Sequence, residues 1–304
     1  MTSMQVACLV LALGLAISYS LWRIANANQD REARSHFEAS SNMALAGIQR
    51  RVDEFETLLL GMQGLFIASE RVDRREFQRY FNNLRGQLRI PGIRAVHFTR
   101  RVLEAEKAAY ISSVRNDHSL SASGFPNFSI HPDSARGEYF VIEYIEPFEE
   151  NQLAFGLDAL SQSVNRESFL AARDSGQVSF TQPFQLVQTA RGERGMVLRA
   201  SVYRYGSLLR TVEERRRAFV GLVGISLNAN EIFRDVFATT LLEGLCVLIH
   251  DVSRDASSGT PAPFRQVIAE NCPDNRAYAS VGARVDHHYS GRRQALGDQA
   301  FCAR

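Results

Sequence analysis

Lysine is almost missing from this 304-residue sequence: Lys107 is the only one among 35 basic residues, and the rest are arginine. Against 33 acidic residues this leaves a net charge of +2, with both signs interspersed along the chain. No basic block has the spacing of a phosphate site, so nucleic acid drops out as a partner, and the arginine excess reads as the codon bias of a GC-rich genome. Cysteine is sparse too. Cys8, Cys246, Cys272 and Cys302 contain no C-x-x-C pair, which removes the common zinc arrangements. Cys246 and Cys272 could bridge in an oxidising compartment, leaving one cysteine of that region unpaired; isolated buried or free thiols are the equal alternative. Also absent are G-x-S-x-G, H-E-x-x-H, P-loop and G-x-G-x-x-G motifs, and with them the usual nucleophile, zinc and nucleotide signatures. There is no internal repeat and no low-complexity tract. A composition of 45% hydrophobic and 22% charged residues nevertheless supports a folded body with a sizeable core.

The first feature present is an uncharged run from Val6 to Trp22. At about 1.5 Å rise per residue it just reaches across a hydrocarbon core. Two readings stay open: a retained membrane anchor, or a signal peptide cleaved at Ala25-Asn26-Ala27. The length of the run, the interfacial aromatics Tyr19 and Trp22, and the helical pattern that follows favour the anchor. Arg23 after the run, with no Lys or Arg before it, gives no positive-inside support for a cytoplasmic N-terminus.

Beyond it, apolar residues at Ala44, Ile48, Val52, Phe55, Leu59, Met62 and Phe66 recur at steps of three or four, one stripe of a long helix. A second helix is expected from after Ser69 to Leu88, closed by Pro91-Gly92. Then the pattern turns to short strands and helices. Strands are expected at 93–99, 139–145, 178–180, 196–205, 219–227, 245–250 and 264–268, and helices at 104–115, 165–174 (closed by Gly176) and 231–239. Helices mixed with hairpins, without βαβ alternation, predict an α+β fold with antiparallel sheets, enough chain for two units behind one helical stalk.

Candidate chemistry is thin. His97, His118 and His131 share a region but no helix face, and ordinary surface or core roles outweigh a metal site. Glu143, Glu146, Glu149 and Glu150 crowd around Pro147; paired carboxylates could serve as acid and base, but solvated side chains are the commoner outcome. Glu213, Glu214 and Arg215 to Arg217 read as a solvated helix face.

Read in order, several segments together resemble the CHASE sensory domain, the extracytoplasmic module of bacterial and plant receptor kinases and cyclases. They are Pro91-Gly92-Ile93 leading to Arg101-Val102; YFVIEYIEP at 139–147; NQLAFGLD at 151–158; AARDSGQVSFTQPFQL at 171–186; Ser201-Val202-Tyr203; and TVEERRRAFVGLVG at 211–224. The resemblance covers roughly 77–237. It implies an anchor at 1–25, stalk helices at 26–90, a membrane-distal PAS-like ligand-binding subdomain at 91–210 and a membrane-proximal PAS-like subdomain at 211–304. It implies a sensor and not an enzyme, with no cofactor: a single-pass protein of the bacterial inner membrane whose soluble part faces the periplasm. Its partners would be an unidentified small ligand and a second copy of the chain, the dimer forming through the stalk stripe.

Thr181 matches the threonine that contacts the ligand's side chain in the family's cytokinin receptors. Glu149 is the nearest match to the acidic residue that holds the adenine there, with Glu150 as the alternative. Phe180 and Phe184 would wall the pocket, Asp158 would bind or, more often in such a position, cap the following turn, and Leu198 in the run Met196 to Val202 would line the opposite wall or the core. Plant-type ligands are not carried over. The family also has a second membrane helix and a cytoplasmic output domain of diguanylate cyclase or histidine kinase type. Nothing after Thr240 is long or apolar enough to span, so the chain is expected to be either a fragment of such a receptor, the simpler account, or a receptor that signals only through a partner. The competing readings are an extracytoplasmic enzyme using Glu146, Glu149 and Glu150, and a structural protein on a helical stalk.

Overall fold

The computed structural model describes residues 3–87, 91–135, 137–187, 194–232, 234 and 238, and the backbone of four further strands at 246–251, 266–270, 279–287 and 294–303. Helix α1, Ser3–Ile67, is a single 65-residue rod, roughly 100 Å long. Its outer part bares Val10, Leu13, Ile17 and Trp22, and it is long and apolar enough to cross a membrane. Its inner part behaves as the periodicity demands: all seven stripe residues from Ala44 to Phe66 are buried. They are buried against the chain's own sheet, with Phe66 stacked on Phe98 at 4.4 Å between ring centroids. This corrects the expectation that the stripe is free to dimerise. Helix α2, Arg74–Gln87, returns alongside and adds Phe77 and Phe81 to the same cluster.

Strands β1 (Ile93–Leu103) and β2 (Glu138–Glu146) form an antiparallel pair with helix α3 (Lys107–Arg115) between them in sequence. Helix α4 (Ser163–Ser175) stops at Gly176, whose φ of 73° is the left-handed C-terminal stop expected there. Strands β3 (Ser179–Phe180) and β4 (Gly195–Tyr203) follow, then helix α5 (Val212–Ala218), strand β5 (Phe219–Asn228) and the short helix α6 (Ala229–Ile232). The expected 213–217 charge run is α5, opened by a capping box between Thr211 and Glu214.

These five strands make one antiparallel sheet in the order β2-β1-β5-β4-β3. A second antiparallel sheet, β7-β6-β9-β8, is built from β6 (Cys246–Asp251), β7 (Gln266–Glu270), β8 (Ala279–His287) and β9 (Gln294–Ala303). The sequence reading found β6 and β7 but not β8 and β9: ASVGARVDH alternates only the small apolar residues Ala and Val with Ser, Gly, Arg and Asp, and QALGDQAFCA has no regular alternation. The class is therefore mixed helix and antiparallel sheet, as expected. Cys272 lies outside the described residues, and the backbone register sets Cys246 opposite Cys302.

Candidate ligand site

Alternation along the strands divides the five-stranded sheet into two faces of different chemistry. Val96, Phe98, Leu198, Ala200, Val202, Val223, Ile225 and Leu227 point towards α1 and join its core. The residues between them point the other way, towards α4. The register aligns them in three rows: Ala95, Ser226, Val197 and Thr181; His97, Gly224, Arg199 and Ser179; Thr99, Leu222 and Ser201. His97, Thr99, Ser179, Thr181, Arg199, Ser201 and Ser226 are all buried. A sheet face that only packs a helix is apolar, because each buried polar group must recover its lost hydration from a partner. This one is polar at its centre.

Arg199 dominates the layer. It is 2% exposed, its Nη2 donates to Asn165 Oδ1 at 2.6 Å and its Nη1 to Ser168 Oγ, both on α4. The guanidinium lies over the Phe169 ring, 4.3 Å from its centroid. Its Nε has no partner, and among the described residues no carboxylate pairs with it. Burial pushes its pKa down to about 9, still above neutrality, so the group stays a cation surrounded by neutral dipoles. His97 sits two strands away on β1, leaning over Gly224 of the intervening β5, where a Cβ would come within 2.3 Å of its Cε1. Burial first, and the Arg199 charge second, lower its pKa to about 3, so the imidazole is neutral; its Nδ1 lies 3.2 Å from Thr99 Oγ1.

Helix α4 covers this layer and is held at both ends. At its start Asn165 Nδ2 donates to Ala159 O and Gln162 Oε1, both at 2.9 Å, while its Oδ1 faces Arg199. At its end Asp174 takes two bonds from Arg216 of α5, at 3.0 and 2.6 Å, and Tyr203 Oη donates to Arg173 O at 2.7 Å. Ser179 Oγ, donating to Ser168 O at 2.8 Å, ties its middle to β3.

The residues singled out from the sequence are distributed around this arrangement. Thr181 belongs to it: buried, it donates from its backbone to Val197 O at 3.0 Å and accepts on Oγ1 from Val197 N at 2.9 Å, which leaves its hydroxyl proton to give. Phe180 and Leu198 are cross-strand partners on the opposite, α1-facing side, where Leu198 is core. Phe184, half-buried, pairs through its backbone with Gly195. Asp158 is buried and caps the 3-10 turn at Ala159–Ser161, its Oδ1 accepting from Leu160 N at 3.3 Å and Phe140 N at 3.0 Å.

Glu149 is exposed on the turn after β2 and accepts from Gln152 at 2.8 Å. Since β2 and β3 are opposite edges of the sheet, Glu149 and Thr181 stand roughly four strand spacings, about 19 Å, apart. Glu146 is buried and its carboxyl is raised by that burial, whereas Glu149 and Glu150 are exposed, so the three glutamates straddle a surface turn. The histidines are dispersed: His131 Nε2 meets Phe155 O at 3.1 Å and His118 Nδ1 meets Ala122 O at 3.0 Å. Among the described residues no three His, Cys, Asp or Glu side chains gather as a metal group.

Sequence reasoning missed Arg199, Asn165 and Ser168. The available signal was an arginine in the middle of the largely apolar strand MVLRASVY, a position that a strand buried on both faces does not normally give to a charge. A separate open cleft of about 440 Å³ lies where the α1–α2 turn meets the end of the sheet, lined by Phe66, Arg71, Arg100, Tyr110, Glu143 and Tyr203 among others. Its buried charge is already matched, Arg100 pairing with Glu143; of the carboxylates named from the sequence Glu143 alone lines it, and Thr181, Glu149, Phe180, Phe184, Asp158 and Leu198 do not.

Residues 70–261 match the family model for the CHASE domain. Hybrid signal transduction histidine kinase A of Dictyostelium discoideum is 33% identical over 96 residues, 30% of this chain and 4% of that protein. The chain thus spans only a small part of that curated relative. Among solved structures, the ligand-binding domain of the Pseudomonas aeruginosa PAO1 amino acid chemoreceptor PctC, in complex with GABA, superposes with a TM-score of 0.46 at 10% identity, covering 90% of this chain and 99% of that one.

Proposed function

The chain belongs to the CHASE-domain family, and from that premise we propose that it is a membrane-anchored extracytoplasmic sensor that binds a small ligand between the five-stranded sheet and α4. The observation that carries this reading is the buried polar layer of Thr181, Ser179, Arg199, His97 and Ser226. A core has no use for it, and a ligand site needs such convergent polar groups inside apolar walls. Phe169, Phe140 and Leu222 supply those walls. The ligand's site is then the Thr181 edge of the sheet, without Glu149.

Signalling follows from the packing. The face opposite the layer is the one that holds α1, so a rearrangement among β3, β4 and β5 is transmitted through Leu198, Val223 and Ile225 to Met62 and Phe66. We read α1 as a retained anchor of the bacterial inner membrane, the sheets as PAS-like units in the periplasm, and the receiver as a cytoplasmic cyclase or histidine kinase output. A dimer would form along the exposed part of α1 before Ala44, since the stripe beyond it is occupied.

Thermal melting of the full chain in detergent micelles, screened against amino acids, organic acids, adenines, sugars and short peptides, tests the reading. A ligand that binds only the folded state raises the melting temperature. The expected result is at least one compound that does so and loses its effect in Thr181→Ile while that variant still melts cooperatively. A cooperatively melting protein that no compound shifts would overturn small-molecule sensing and point to a protein signal.

A further inference from the structure

We propose that the ligand of this site carries a single carboxylate, held by Arg199 against the sheet after it displaces Asn165 of α4. The inference rests on the sensor reading and adds the ligand's chemical class. Its starting point is charge balance. A guanidinium removed from water needs an anion to offset its lost hydration, and among the described residues Arg199, 2% exposed, has around it only an amide oxygen, a hydroxyl and an aromatic face. The neighbouring His97 is neutral and buried, so it neither supplies nor demands charge. The layer therefore holds one uncompensated positive charge, which a monoanion cancels and which a dianionic phosphate would overshoot.

Geometry selects the carboxylate among monoanions. The side-on edge of a guanidinium is formed by Nε and Nη2, and it matches the two oxygens of a planar carboxylate. In Arg199 this edge is half open: Nε is unpartnered, and Nη2 is held by Asn165 Oδ1 at 2.6 Å. An entering carboxylate completes the edge by taking the place of Asn165. Ser168 can stay on Nη1, while the Thr181 hydroxyl proton and the Ser226 hydroxyl on the adjoining row remain for the rest of the ligand.

Displacing Asn165 frees only the start of α4, because its end stays fixed by Asp174 to Arg216 and by Tyr203 to Arg173. Ligand entry and the conformational signal are then one event, the outward swing of the first turn of α4, ahead of Ser168, which Ser179 and Arg199 keep in place.

The test is isothermal titration of the full chain in detergent with matched pairs: acetate and acetamide, propionate and propionamide, butyrate and butyramide, glycine and glycinamide, with inorganic phosphate and adenine alongside. The expected result is saturable binding of at least one carboxylate, with its amide bound at least tenfold more weakly. Arg199→Lys keeps a charge but lacks the edge, and is expected to weaken binding at least tenfold without loss of cooperative melting. Arg199→Met removes the uncompensated charge, and its unliganded melting temperature is expected to equal or exceed that of the parent. A drop of several degrees in Arg199→Met would make Arg199 a structural tie for α4 and overturn the inference. Binding of adenine, phosphate or amides with carboxylates silent would overturn the carboxylate while leaving the sensor standing. Silence of every probe, in a protein that another compound class stabilises, would overturn it too.

Discussion

Burying His97 beside Arg199 removes the imidazole's charge, and that has a pH signature. The unfolded chain takes up a proton near the ordinary value of 6.5, whereas the folded one resists until about 3. Between those values the unfolded state binds more protons, so stability rises with pH across the window and is lost on acidification, at up to about 1.4 kcal/mol per pH unit. Glu146 works the other way, since its raised pKa lets the folded state hold its proton longer than the unfolded one. The cleanest interval is therefore pH 5 to 7, as a rough bound set by ordinary carboxylate and histidine values. Urea midpoints are expected to fall with pH there in the parent chain and to flatten in His97→Gln. An unchanged slope in the variant would mean that His97 is protonated in the fold.

At the scale of elements, α1 and α4 are held in opposite ways. The inner part of α1 is held by apolar burial: Leu59 and Met62 are fully buried between α2 and the sheet. Met62→Ala should cost about 2–5 kcal/mol, the usual penalty for a cavity in a close-packed core, while Leu13→Ala on the bare part of the rod should leave the unfolding midpoint of the body unchanged. Equal effects would deny that the two parts differ. The α4 end is held by charge at the surface. Arg216 and Arg173 keep the Asp174 carboxyl well below its ordinary 3.8, a stabilisation present above that value and lost as pH falls through the lower folded one. With Arg216 half exposed, Asp174→Asn is expected to cost no more than about 1 kcal/mol at neutral pH, and the gap should close in acid. A gap as large at pH 2 as at neutral pH would assign the loss to packing and not to charge.

This contrast also explains what the sequence discloses. Apolar periodicity is a local signal, and it marks the buried stripe of α1, and the strands 138–146 and 219–228 and the Gly176 stop to within a residue, while it ends the strand 93–103 four residues early. The polar layer is not local. Asn165, Ser168 and Arg199 are more than thirty positions apart at their extremes, and they meet only because β4 pairs with β5 and α4 folds over it. In a chain where arginine replaces lysine nearly everywhere, one more arginine carries no mark. Thr181 is named through the family resemblance alone; the residues that surround it in the layer needed the register.

For the whole molecule, the arrangement of a bare apolar rod and a folded body makes location a decisive property. A sensor of external ligands must carry the body outside, and α1, 65 residues without a break, is the sole described helix able to cross. The side is open to direct measurement because cysteine is so rare. With Cys8, Cys246, Cys272 and Cys302 replaced by alanine, Leu153→Cys introduces one thiol at a position 72% exposed, remote from the polar layer. A membrane-impermeant maleimide added to intact cells whose outer membrane has been permeabilised should label it fully, with no gain on lysis. Labelling that requires lysis would place the body in the cytoplasm and end the reading of Arg199 as a receptor for an external anion. The same sample distinguishes anchor from signal peptide. Labelled protein that stays with the membrane pellet retains α1 whole. Protein released by osmotic shock has been cut near Ala27, and the path from Leu198 through Met62 and Phe66 would then have no membrane to cross.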